Sequence, residues 1–192
     1  MVERAVAPLR EALTHGIEMA DAQQPDAMDR DQYYWSHTAR FHARKKLMSA
    51  DRDGWGIAKR VANSGIHLHF EAVHTARVLR TLNGTTPHAG HNVTRQQAWS
   101  FSPYLPVGKS VPEPFTLIFD WCRDDSGLLL HVGLPRRGGS YPNGAELHWR
   151  VPVTGDAQDD LAGLAWDGSD PEGSASVIKV DPSENYRGEM QW

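Results

Sequence analysis

A chain of 192 residues with 40% hydrophobic and 23% charged residues is long enough to bury a sizeable core and too apolar to be disordered throughout. Its mean hydropathy of -0.54, without any run of about 18 apolar residues, excludes a membrane-spanning helix, and a single cysteine, Cys122, excludes an intrachain disulfide and a cysteine-based zinc site. The net charge of -4 hides strong segmentation: residues 1–35 sum to -4, residues 36–95 to +7 and residues 96–192 to -7, so the basic middle can serve an anionic partner or can dock internally on the acidic parts. The expectation is a cytoplasmic protein with no membrane contact, its start lacking a basic and apolar leader pattern.

Val6, Leu9, Leu13, Ile17 and Ala20 recur at helical spacing and predict an amphipathic helix over residues 3–22. After the break at Gln24-Pro25-Asp26, residues 31–48 have high helix propensity and place Tyr34, Phe41 and Met48 at heptad spacing, which predicts a second helix. Gly54-Trp55-Gly56 interrupts, a short helix through Val61 is expected to follow, and Asn63-Ser64-Gly65 is turn chemistry. Residues 66–73 alternate apolar and polar at period two and favour a strand, with 76–82 as its returning partner, although the same residues also suit a helix. Residues 83–114, with few aliphatics, read as a long irregular connection.

From Phe115 the pattern predicts an antiparallel meander. Phe115, Leu117, Phe119 and Trp121 alternate with Thr116, Ile118 and Asp120, then Leu128, Leu130, Val132 and Leu134 alternate again, then Leu147, Trp149, Val151 and Val153, with residues 176–180 as a fourth strand. Phe119, Trp121, Leu130, Leu147 and Trp149 are expected on one buried face. A helical turn is expected within 156–164. The fold class is α+β, a single domain over 1–192 in which N-terminal helices (1–63) pack on an antiparallel β-meander of four to six strands (115–180), with a basic, histidine-rich segment and connection (64–114) between them and a loosely held tail (181–192).

Three constellations carry chemistry. Five of the ten histidines lie between 67 and 91. On a strand, His67, His69 and Glu71 share one face; on a helix, His67, Glu71 and His74 do; His88 and His91 could complete either set. Such a set would hold zinc or another divalent transition metal and support hydrolysis through a bound water. A second set lies on the other face of the meander. If Cys122 pairs with Gly127, Asp120 lies diagonal to His131, and Glu146, His148 and Arg150 join them, which assembles the acid, base and cation of metal-free phosphodiester cleavage. The third is the basic middle: Arg40, Arg44, Lys45, Lys46, Lys59 and Arg60 interleave with Trp35, Phe41 and Trp55, a pattern suited to an acidic protein surface or nucleic acid. Val107-Gly108-Lys109-Ser110 ends like a phosphate-binding loop, but Pro103 stands where the loop needs glycine and Pro112 and Pro114 prevent the helix that should follow. The leading expectation is a non-enzymatic interaction or regulatory protein acting through the basic middle; the alternatives are a metal-dependent hydrolase at His67–His91 and a ribonuclease-like enzyme on the meander.

Overall fold

The computed structural model describes residues 2–50, 54–59, 61, 65–70, 74–81, 84–90, 96, 99, 116–124, 127–140, 143–153, 165–166 and 178–179. Two helices, α1 (Glu3–Gln23) and α2 (Gln32–Ser49), precede eight strands: β1 (Trp55–Ile57), β2 (Ile66–Phe70), β3 (His74–Arg80), β4 (Thr116–Asp124), β5 (Gly127–Ser140), β6 (Gly144–Pro152), β7 (Ala165–Trp166) and β8 (Ile178–Lys179). The first six form one sheet in the order β1-β2-β3-β4-β5-β6. The fold is α+β.

α1 buries Val6, Leu9, Leu13 and Ile17, as its spacing requires, together with Ala5, Ala12, Gly16 and Ala20. Asp31 caps α2, its Oδ1 accepting from Tyr33 N at 2.9 Å and Tyr34 N at 3.1 Å, so two of the four N–H groups that a helix start leaves unpaired are satisfied. α2 turns inward Trp35, Thr38, Ala39, Ala43 and Leu47. The inward side is mostly small because the helices approach closely. A Cβ added at Gly16 would lie 2.2 Å from the Ala39 carbonyl oxygen and 3.0 Å from Ala43 Cβ.

Both helices cover one face of the sheet. Their inward residues share a core with Ile66, Leu68 and Phe70 of β2, Ala76 and Val78 of β3, Phe119 and Trp121 of β4, and Leu130 and Val132 of β5. The Trp35 and Trp121 rings meet at 6.1 Å between centroids, and Arg10 Nη1 donates to the Val153 carbonyl at 2.8 Å. On the opposite face Ile118 packs with Ala89 and Trp99 from the β3–β4 connection, all without solvent exposure. β4 is therefore covered on both sides, with Leu117 to Trp121 buried consecutively.

Residues 66–70 and 74–80 are strand, where a helix was the alternative, and β2 and β3 pair antiparallel. The expected short helix before Val61 is replaced by β1, which pairs with β2 through Trp55–Phe70 and Ile57–Leu68. The sheet is not an antiparallel meander throughout, because β3 and β4 run parallel with Val78 beside Phe119. A parallel neighbour needs a crossover of a dozen residues or more, and residues 81–115 supply one. Residues 178–179 belong to a separate two-stranded ladder with β7 and not to the large sheet.

The β4–β5 hairpin closes more tightly than Cys122 against Gly127. Asp124 pairs with Gly127, whose φ of +120° only glycine adopts readily, and Cys122 pairs with Leu129. The shift is by two residues, so every side chain keeps its expected face. β6 breaks that rule. Leu134 pairs with Trp149 and Pro135 with Leu147, leaving His148 as an extra residue in a bulge. The bulge turns Leu147 to the face opposite Trp149. Leu147 packs with the Ile118 cluster, Trp149 packs on the main core, and both are half-buried, which corrects the expectation of one buried face. The expected helical turn at 156–164 lies outside the described residues.

Candidate functional site

Three of the six cations of the basic middle, Arg40, Arg44 and Lys46, make contacts within the molecule. Arg44 reaches from α2 across to the β1–β2 connection, where Nη1 donates to the Gly65 carbonyl at 2.7 Å and Nη2 to the Ala58 and Lys59 carbonyls at 2.8 and 2.7 Å. It occupies main-chain acceptors that no strand partner meets. Lys46 Nζ pairs with Glu11 Oε1 at 2.8 Å, tying α2 to α1 on the surface, and the lysine's hydrogen bond and charge hold the Glu11 carboxyl below its ordinary pKa. Arg40 is half-buried and its Nε donates to the Ser36 carbonyl at 3.2 Å; burial pushes its pKa down. Lys45 and Lys59 are exposed, and Arg60 lies outside the described residues.

The histidines divide between faces. His67 and His69 alternate with the buried Ile66, Leu68 and Phe70, so they project from the side away from the helices. His74 pairs with Phe70 and shares its face, on the helical side. His67 stands opposite Arg77 in the register, and the His69 ring lies over Gly56, where a Cβ would fall 2.2 Å from ring carbon Cε1. Glu71 and His91 lie outside the described residues, among which no three His, Cys, Asp or Glu side chains gather around a point that could hold a metal.

The meander constellation does come together. Asp120 pairs directly with His131 across β4 and β5, and Arg150 of β6 pairs with Gly133, one step along on the same outer face. Asp120 has no solvent exposure. Arg150 holds it with a fork: Nη2 donates to Oδ1 at 2.7 Å and Nε to Oδ2 at 3.0 Å. Thr86, from the connection that crosses this face, donates its hydroxyl to Oδ2 at 2.6 Å. His131 Nδ1 lies 3.5 Å from Asp120 Oδ1 and 3.1 Å from Arg150 Nη2. Glu146 is exposed and opposite Arg137, displaced from the set by the bulge at His148.

Burial alone would raise the Asp120 pKa, but hydrogen bonds from His131, Arg150 and Thr86, with the Arg150 charge, hold it below the ordinary carboxylate value. A carboxylate so engaged is a weak base, and the guanidinium that would face a phosphate is spent on Asp120. The cluster orients the His131 ring and joins three strands to the connection. Sequence spacing found Asp120, His131 and Arg150. It missed Thr86, whose contact depends on the path of an irregular segment.

The outward face of α2 was marked in the sequence only through Phe41 and Lys45 of the basic middle. Six large hydrophobic residues are strongly exposed among the described residues, and four of them lie on α2: Tyr33 (74%), Tyr34, Phe41 and Met48, with Met28 just before the helix. At 100° per residue, Tyr33, Tyr34, His37, Phe41, Lys45 and Met48 fall within an arc of about 120°. α2 contains Arg40, Arg44, Lys45 and Lys46 and no acidic residue. The heptad that predicts this helix marks its outward face, not its core side.

Comparisons with protein-family models, with curated proteins and with solved structures returned no match.

Proposed function

We propose that this protein is a non-enzymatic interaction module that docks an acidic, amphipathic segment of a partner protein on the outward face of α2. The observation that carries the reading is the inversion of that helix: its alanines and Thr38 face the core while Tyr33, Tyr34, Phe41 and Met48 face water. Isolated exposed hydrophobic residues are ordinary, but a contiguous aromatic and methionine stripe on one helix face is the signature of an interface. Lys45 within the stripe and the absence of acids from α2 supply complementarity to a negatively charged partner. A protein partner fits better than nucleic acid, because Arg44 and Lys46, two of the four cations that would track a phosphate backbone, are already engaged within the molecule.

Photo-crosslinking from position 41 in a lysate of the source cells, followed by titration of the captured segment as a synthetic peptide, tests the reading. The captured segment is expected to be acidic and amphipathic, and Phe41→Ser and Lys45→Glu are each expected to weaken it tenfold or more, since burying a phenylalanine contributes about 1.5–3 kcal/mol. A segment whose affinity ignores both substitutions, or capture of nucleic acid with affinity that Phe41→Ser leaves unchanged, overturns it.

A further inference from the structure

A cleft of about 620 Å³ opens where the α1–α2 connection meets the end of the β3–β4–β5 sheet, and three guanidinium groups line it: Arg30, Arg80 and Arg123. Trp35 forms its floor, with the Arg30 guanidinium carbon 5.3 Å and the Arg80 one 4.7 Å from the ring centroid. Two acids, Asp21 and Asp124, line it as well and leave one positive charge in excess. Asp21 accepts from Trp35 Nε1 at 2.9 Å and pairs with Arg30 at 3.0 Å and with Arg123. Asp124, at the hairpin end, accepts from Gly127 N at 3.1 Å.

Arg80 is the odd member. Its described partners are neutral oxygens alone: the Gln32 carbonyl and side-chain Oε1, the latter at 2.8 Å, and Ser36 Oγ. Burial, and after it the neighbouring Arg30 charge, pushes its pKa down. A half-buried cation crowded by like charge, whose described hydrogen bonds all go to neutral oxygens, is costly unless an anion completes it. Of its five N–H donors, the three directed at Gln32 and Ser36 leave Nε–H and one Nη2 hydrogen.

The geometry points to a binding site for a small phosphate monoester, its dianion bridging Arg80 and Arg30 with Arg123 at the rim and its organic group filling the rest of the cleft. Planar guanidinium forks match phosphate oxygens in pairs, and the three terminal oxygens of a phosphate monoester can meet Arg80 and Arg30 together, which the two oxygens of a carboxylate do less well. The volume lies in the range of small-molecule sites and exceeds what a bare ion needs. The site stands independently of the α2 face.

Calorimetric and thermal-shift titrations with phenyl phosphate, inorganic phosphate, benzoate and phenol, at constant ionic strength, test it. Phenyl phosphate is expected to bind with Kd below about 1 mM and to raise Tm; inorganic phosphate is weaker, benzoate weaker by about tenfold or more, and phenol silent. Arg80→Gln is expected to lose at least tenfold and Arg123→Gln a few-fold, while Phe41→Ser and Lys45→Glu leave the affinity unchanged. Because Arg80→Gln can disturb the fold, Arg80→Lys, which keeps the charge and loses the fork, is measured beside it and is expected to fall between. The indole N–H resonance of Trp35, identified by its absence in Trp35→Phe, is expected to move with phenyl phosphate and not with phenol. No binding of phenyl phosphate up to about 10 mM, equal affinity for benzoate, or equal affinity in wild type and folded Arg80 variants overturns the assignment.

Discussion

Asp120 shows how far a single residue can be understood from both directions. Its place beside His131 and Arg150 follows from the two-residue period of strands, and a register error of two in the hairpin left that placement intact. What the period could not supply is the Thr86 hydroxyl or the absence of water, since both depend on the connection lying over the outer face. Removing the charge strands Arg150, which keeps only about a quarter of its side-chain surface in solvent. Asp120→Asn is therefore expected to cost about 3 kcal/mol at neutral pH, measured by urea denaturation, and a loss under about 1 kcal/mol would mean that the pair is not a buried one. The depressed pKa fixes the sign with pH. The folded carboxyl titrates below its unfolded value of about 3.9, so its stabilisation is complete above that pH and is lost as pH falls through the lower folded pKa. The gap between wild type and Asp120→Asn should accordingly be constant from about pH 5 to 7 and narrow as pH falls below about 4.

Among the elements, α1 was legible almost to the residue because one clean apolar stripe faces one core. α2 was legible as a helix and not in its phase. Tyr34, Phe41 and Met48 share a heptad spacing that predicts the helix without saying which way they face; the structure seats Ala39 and Ala43 against Gly16, where an added Cβ does not fit. Gly16→Ala separates the two influences. Helix propensity favours alanine by about 1 kcal/mol, whereas forcing a methyl group to within 2.2 Å of the Ala39 carbonyl oxygen requires the helices to part, at about 1–3 kcal/mol. A net loss near 1 kcal/mol in equilibrium unfolding is expected, and a gain would mean that the helices pack less closely than described. The β6 bulge is the counterpart in the sheet. One extra residue at His148 divides Leu147 from Trp149, and no alternation pattern announces an inserted residue in advance.

For the whole molecule, the α+β class was readable, because the helical periods come first in the chain and the strand periods follow them. The parallel β3–β4 junction was not, because local patterning specifies which face a strand buries but carries no information about which distant strand it meets. The charge blocks left internal docking and an anionic partner both open for a similar reason. They count formal charges, whereas Arg44 answers carbonyl groups and Lys46 a glutamate in the acidic first segment. Covered on both faces and paired on both edges, β4 is expected to hold the slowest-exchanging amides, and β1, a three-residue edge strand, among the fastest; hydrogen exchange followed by mass spectrometry checks the order. The same junction bears on how quickly the chain finds its structure. A hairpin such as β4–β5 forms between neighbours in sequence, but laying β4 beside β3 means closing a loop over residues 81–115, an entropic barrier of about 3 kcal/mol plus a constant before any contact rewards it. Helix pairing and the two hairpin systems can assemble on their own clocks, and their meeting at β3 and β4 sets the pace of folding.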